Sequence, residues 1–157
     1  MLIEFQNFLT HENIYLWANF SILPIWITLI FVPNSTFTKF FFNSIILPLI
    51  LSAIYIYIIY QMILLDEAIL EVFKIYLSLD NLYTLFSSES FLLIFWLHFL
   101  TLNLFLGSWI SRDGAKYNIP RRLVSVPLIL VYLTGPIGLV LYWLIRVFYA
   151  KKLAFHD

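Results

Sequence analysis

The sequence predicts an all-α integral membrane bundle of four transmembrane helices, and three observations carry that prediction. Of its 157 residues, 62% are hydrophobic and only 11% are charged, with a mean hydropathy of +0.93, far from the composition of ordinary soluble domains. Four runs approach the length of about 20 mostly apolar residues that a helix needs to cross hydrocarbon: 14–32, 41–65, 91–110 and 124–148. Each run is continuously apolar rather than alternating, which disfavours a β-barrel. No linker or internal repeat divides the chain, so residues 1–157 read as a single transmembrane domain.

The first span carries Asn19 and Thr28; Glu4 and Glu12 precede it and Trp17 and Trp26 lie within it, so it is not a cleavable signal. The second contains Pro48, Tyr55, Tyr57, Tyr60 and Gln61. Between the second and third spans, residues 66–90 mix carboxylates with Leu, Phe and Tyr. They read either as a helix along the membrane interface or as a surface loop. In the first case Leu70, Phe73, Leu77 and Asn81 share one face, while Asp66, Glu67, Glu71 and Lys74 turn to water. The third span has no proline and carries His98, Thr101 and Asn103, which makes it the rigid carrier of a site. In the fourth, TGPIG at 134–138 predicts a kink at Pro136, with Gly135 and Gly138 permitting close approach of another backbone. With Pro24 and Pro48, three of the four helices are expected to bend, an arrangement that favours an internal cavity.

Nine Lys/Arg balance nine Asp/Glu, so nothing recommends nucleic acid as a partner. Four spans place both termini and the 66–90 segment on one side with Lys74, Arg146, Lys151 and Lys152. Lys39, Arg112, Lys116, Arg121 and Arg122 fall on the other. The two sides nearly tie, with a slight lean towards cytoplasmic short loops. The absence of cysteine removes disulfides and thiolate chemistry. The three histidines, His11, His98 and His156, have no metal-ligand spacing, so no metal site is expected. No GxSxG, P-loop or GxGxxG occurs, so no nucleotide cofactor is expected either.

Ionisable groups inside a membrane are costly and are functional candidates by default, and His98 is the one near the middle of a span. Its bland alternative is a neutral histidine tied to a neighbouring helix. On a helix His98 shares a face with Thr101, Leu102 and Phe105, whereas Asn103 lies with Trp96 and Gly107, so the two flank a surface. Asn19 and Asn103 read first as interhelical ties. Trp96 and Phe99 could line a slot for a long apolar ligand, among them also Trp26 and Tyr57. Trp109 reads as an interfacial anchor beside Arg112, and Asp113 followed by Gly114 as a turn.

The order LWANFSILPIWITLIFVPNS, LDNLYTLFSS, WLHFLTLNLFLGSWISRDG, IPRRL, TGPIGLVLYWLIR resembles the abscisic-acid-deficiency membrane family, whose plant members are tied to neoxanthin formation. The resemblance runs from about Trp17 to Arg146. It is most specific in the third span, where the family's Trp, His, Leu-Phe, Gly and Trp recur in order. Asn103 stands in place of the family's carboxylate there, and Ser108 in place of the basic residue after Gly107.

The resemblance implies a neoxanthin-synthase-like protein acting on a carotenoid or related polyene. Opening an epoxide to an allenic alcohol is an isomerisation without a redox cofactor; it needs one group to protonate the oxygen and one to remove a carbon proton. On that reading His98 is the general acid/base, assisted by Asp113 or Tyr57, and Arg112 stabilises developing negative charge. Asn103, Asn19, Trp26, Tyr57, Trp96, Phe99 and Trp109 would hold the substrate. The expected partners are the polyene and membrane lipids, and a homo-oligomer is compatible. The first span begins close to the N-terminus, which leaves no room for a transit peptide and points to a bacterial inner membrane. The alternative reading is a non-catalytic carotenoid- or lipid-binding protein, or a structural membrane subunit.

Overall fold

The computed structural model describes residues 9–32, 36, 38, 46–64 and 69–151, with backbone only at 69–72. The expected span ends at Phe41 and Leu65 fall outside the described residues, as do Asp66 and Glu67 and the side chains of Leu70 and Glu71. All regular structure among the described residues is helical. The helices are α1 (His11–Phe31), α2 (Ile46–Leu64), a 3-10 helix (Ile69–Tyr76), α3 (Leu79–Phe86), α4 (Glu89–Lys116), α5 (Arg121–Thr134) and α6 (Pro136–Ala150). Three of them, α1, α2 and α4, are long and apolar enough to cross a membrane.

Local chemistry sets these boundaries. The Thr10 hydroxyl accepts from the Asn13 N–H at 3.3 Å and caps α1, with Glu12 in the favourable first turn. Pro48 lies at the start of the described part of α2, Ile46–Leu64. The segment after α2 takes the helical rather than the loop alternative. Ser78 caps α3 by accepting from the Asn81 N–H, and the Asn81 amide donates to the Lys74 carbonyl at 3.0 Å. Phe73, Tyr76, Leu77, Leu79 and Tyr83 are all exposed there, as an interfacial segment requires.

Helix α4 runs for 28 residues, beyond the expected end at Ile110. The Asp113–Gly114 pair is not a turn: Gly114 stays helical because α5 packs against it, with Val124 Cγ2 only 2.9 Å from where a Cβ would stand. The chain leaves α4 through Asn118, in the left-handed region at φ 52°, and the Ile119 N–H returns to the Gly114 carbonyl at 2.9 Å.

The fourth expected span, 124–148, is not one helix. Gly135, at φ 69° and ψ −84°, ends α5 and begins α6, a backbone conformation open to glycine and strained for other residues. Pro136 is the first residue of α6, so it starts a helix rather than bending one. The two helices fold back on each other as a hairpin. Gly138 sits against the α5 backbone, where an added Cβ would overlap Val131 N and stand 2.6 Å from the Pro127 carbonyl oxygen. With 14 and 15 residues, each arm is about 21–22 Å long, short of a bilayer's hydrocarbon.

Packing divides the chain into two units, residues 1–21 with 49–101 and residues 22–48 with 102–157; α1 and α4 contribute to both. The first unit buries Ala18, Ile58, Leu93, Leu97 and Leu100. The second buries Ile22, Trp26, Leu29, Ile110, Leu128 and Val131. In that second unit Trp26 lies over Gly107, 2.5 Å from its would-be Cβ, and its ring meets Tyr132 at 5.5 Å. Trp26 is therefore a core residue joining α1, α4 and α5.

Candidate functional site

The strongest polar constellation lies in the second unit, where two stripes of helical spacing face each other. Trp109 and Asp113 are four residues apart on α4, with Tyr117 four further on, just past the helix end; Tyr142 and Arg146 have the same spacing on α6. The Asp113 carboxylate accepts from the Tyr142 hydroxyl at 2.6 Å and from Arg146 Nε at 2.7 Å. Arg146 also donates to the Tyr117 hydroxyl at 3.3 Å, its guanidinium carbon lies 4.9 Å from the centre of the Tyr117 ring, and the residue has 0% exposure. Trp109 closes the cluster edge-on to Tyr142 at 5.5 Å. A fully buried charge is tolerated only when paired and hydrogen-bonded, and here it is both. Asp113 is thus held by its own chain. Arg112, its neighbour in sequence, points away: it is exposed and its Nε returns to the Ser108 carbonyl at 3.3 Å.

A second polar point lies ten residues earlier on α4. Asn103 is buried, with 8% exposure, and its carboxamide lies against Gly135 at the hairpin tip, Oδ1 being 2.7 Å from where a Cβ would stand. Its Nδ2 is buried with no hydrogen-bond partner among the described residues.

In the first unit Asn19 joins helices: its Nδ2 donates to the Tyr15 carbonyl at 2.7 Å and its Oδ1 accepts from Trp96 Nε1 at 3.2 Å. Trp96 stacks on Phe99 at 5.4 Å, and a cleft of about 540 Å³ runs beside it, lined by His11, Tyr15, Glu89 and Leu92 among others. A more apolar groove of about 530 Å³ lies between α1 and α2, lined by Trp17, Ala18, Ser21, Leu51, Ile54 and Tyr57 among others. The Tyr57 hydroxyl accepts from Gln61 Nε2 at 3.0 Å.

His98 does not face the interior. Leu93, Leu97 and Leu100 take the buried side of α4, and one residue beyond Leu97 is a 100° turn of the helix, so His98 is exposed. Its ring lies 6.4 Å from that of Tyr55 on α2. His98 and Asp113 are fifteen residues apart on one helix, about 22 Å at 1.5 Å per residue, so the three residues given catalytic roles do not form one cluster. Arg146, Tyr142 and Tyr117 were not singled out, although the four-residue spacing on both segments is visible in the sequence. No group of three or more metal-binding side chains occurs among the described residues.

Set beside known proteins, residues 13–142 match the family model described as ABA DEFICIENT 4-like. The chain belongs to the ABA DEFICIENT 4-like family. The matched region runs from the first turn of α1 to Tyr142, and so includes His98, Asn103 and Asp113 and stops before Arg146. Comparison with curated proteins and with solved structures gives no match. Family membership suggests a role in a carotenoid- or abscisic-acid-related pathway, and the apolar helices fit a membrane protein. Neither finding supports the bacterial inner membrane expected above.

Proposed function

We propose that this protein binds a carotenoid or related polyene within the membrane and takes part in its conversion by proton transfer, as an isomerase-type enzyme without a redox cofactor. The observation that carries this reading is the family match over residues 13–142. The apolar groove between α1 and α2, with Tyr57 and Ser21 among its few polar groups, is the kind of surface that buries a polyene chain and orients it by one or two hydrogen bonds.

The exposure of His98 fits a substrate dissolved in lipid. Such a molecule reaches an outward-facing imidazole from the side, without entering an internal cavity. In the opening of an epoxide to an alcohol, the oxygen gains a proton as a neighbouring carbon loses one. On this reading His98 serves one of these transfers and Tyr55, whose ring is 6.4 Å from that of His98, serves the other. Asp113 and Arg112 take no part in this proposal. The hydrogen bonds that hold Asp113 and Asn19 within the chain favour a second reading, a polyene-binding protein without catalysis.

Expression in carotenoid-producing bacteria tests both. The enzyme reading expects a new pigment that disappears on His98→Ala, while pigment retained on the purified protein persists. Undiminished product from His98→Ala overturns the role of His98. Pigment that copurifies unaltered supports the binding reading instead.

A further inference from the structure

We propose that α5 and α6 form a re-entrant hairpin, and that its tip, together with Asn103, is a binding point for an uncharged acceptor oxygen on an apolar, membrane-dissolved molecule. Two independent observations place the tip inside the membrane. Asn103 is the fifteenth of the 28 residues of α4, halfway along the helix, and Gly135 lies against it. The hairpin's two ends, by contrast, lie near the end of α4: Val124 meets Gly114 and Arg146 meets Asp113. The outer face of the hairpin is apolar and exposed at Val126, Ile129, Leu133, Ile137, Val140 and Leu144, as a surface turned to lipid requires.

The second observation is charge. Three crossings followed by a hairpin that leaves where it entered put the α1–α2 connection, the α4–α5 loop and the C-terminus on one side. By place in the sequence, that side then holds every Lys and Arg except Lys74, eight of nine. Four crossings give a near tie. The Lys/Arg bias decides orientation, so the hairpin turns an ambiguous sequence into one with a clear cytoplasmic side.

At the tip the last carbonyls of α5 and the first N–H groups of α6 both lack helical partners. Irregular backbone at membrane depth is tolerated where it is buried in protein or lines a cavity, and Gly135 is buried. Pro136 has no N–H, and the Leu139 N–H already reaches the Gly135 carbonyl. The N–H groups of Ile137 and Gly138 belong to the first turn, which has no intrahelical partner. Asn103 adds a buried amide nitrogen without a partner, a feature that costs stability unless something uses it. Half-helix ends near mid-depth serve as ligand sites in other membrane folds for this reason. A carbonyl, ether, epoxide or hydroxyl oxygen satisfies Nδ2 without bringing charge into the interior; an anion does not suit a site with no cation beside it. Assigning that oxygen to the oxygenated end of a polyene rests on the function proposed above, whereas the acceptor site itself does not.

The test uses the full-length protein, labelled with 15N-asparagine in nanodiscs, with the Asn103 side-chain resonance assigned by its loss in Asn103→Leu. Cyclohexanone, which only accepts hydrogen bonds, is expected to shift that resonance saturably, and cyclohexane to leave it in place. An Asn103 amide that responds to neither probe, or to both alike, overturns the acceptor site, including the case in which the amide is satisfied by water only. In parallel, purified protein is loaded with β-carotene or its dihydroxy derivative. A preference of about three- to tenfold for the dihydroxy pigment, the worth of one hydrogen bond, is expected and should vanish in Asn103→Leu. Retention of both pigments equally by the wild type overturns the tip as the polyene's anchor. Retention of neither, with the cyclohexanone shift intact, overturns the polyene reading and leaves the acceptor site standing.

Discussion

Removing Asp113 takes the carboxylate from a guanidinium with no access to water. The Arg146 side chain is 1% exposed and its carboxylate partner 9%, so Asp113→Ala breaks a buried ion pair by removing one partner, which costs about 3–5 kcal/mol. Thermal unfolding in detergent should show a large loss for Asp113→Ala, and the double variant Asp113→Leu/Arg146→Met should recover most of it. A single variant that melts like the wild type would remove Asp113 from the core of the second unit. His98 makes the opposite prediction. Its exposed ring stabilises little, so His98→Ala should change stability by no more than about 0.5 kcal/mol, while product formation in the pigment assay is lost. A variant that loses both together would mark His98 as a packing residue. Much of this was hidden from the sequence because the burial of a charge depends on which helix returns to it. Asp113 and Arg146 are 33 residues apart, and counting four crossings put them on opposite sides of the membrane.

At the scale of the element, the α5–α6 hairpin depends on two glycines with different duties. Gly135 supplies a backbone conformation that other residues adopt only under strain; Gly138 supplies the absence of a side chain where α6 touches the α5 backbone. Gly138→Ala should destabilise by about 1–3 kcal/mol, because backbone cannot move aside as a side-chain end would. An unchanged melting temperature would mean that the two arms do not pack so closely. TGPIG permits close approach of another backbone, and the backbone that Gly138 meets belongs to the same run. Hydropathy cannot tell a kinked crossing from a reversal, since both are 25 apolar residues around a proline. The deciding contact, Gly138 on Val131 and Pro127, is between parts of the run itself. By contrast α1, α2 and α4 were legible as long apolar helices, since length and apolarity alone define them. The long C-terminal extension of α4 was not, because Asp-Gly reads locally as a turn, while the partners that meet it, Val124 at Gly114 and Arg146 at Asp113, come from later in the chain.

For the whole molecule, crossing count and charge make one argument. Three long helices and a re-entrant hairpin place the two termini on opposite sides and gather eight of nine basic residues on one of them; four spans place the termini together. The candidate sites inherit this arrangement: the Asp113–Arg146 pair lies near the basic side, and Asn103 with the hairpin tip lies at depth. The sequence contains no cysteine, so single-cysteine variants can be read without background. The most direct measurement is membrane-impermeant maleimide labelling of Asn118→Cys, Lys151→Cys and Ser88→Cys in oriented vesicles. Labelling of positions 118 and 151 from the same side, with 88 from the other, is the predicted result. Labelling of 151 together with 88, and of 118 alone from the opposite side, would show four crossings and contradict the hairpin and the site built at its tip.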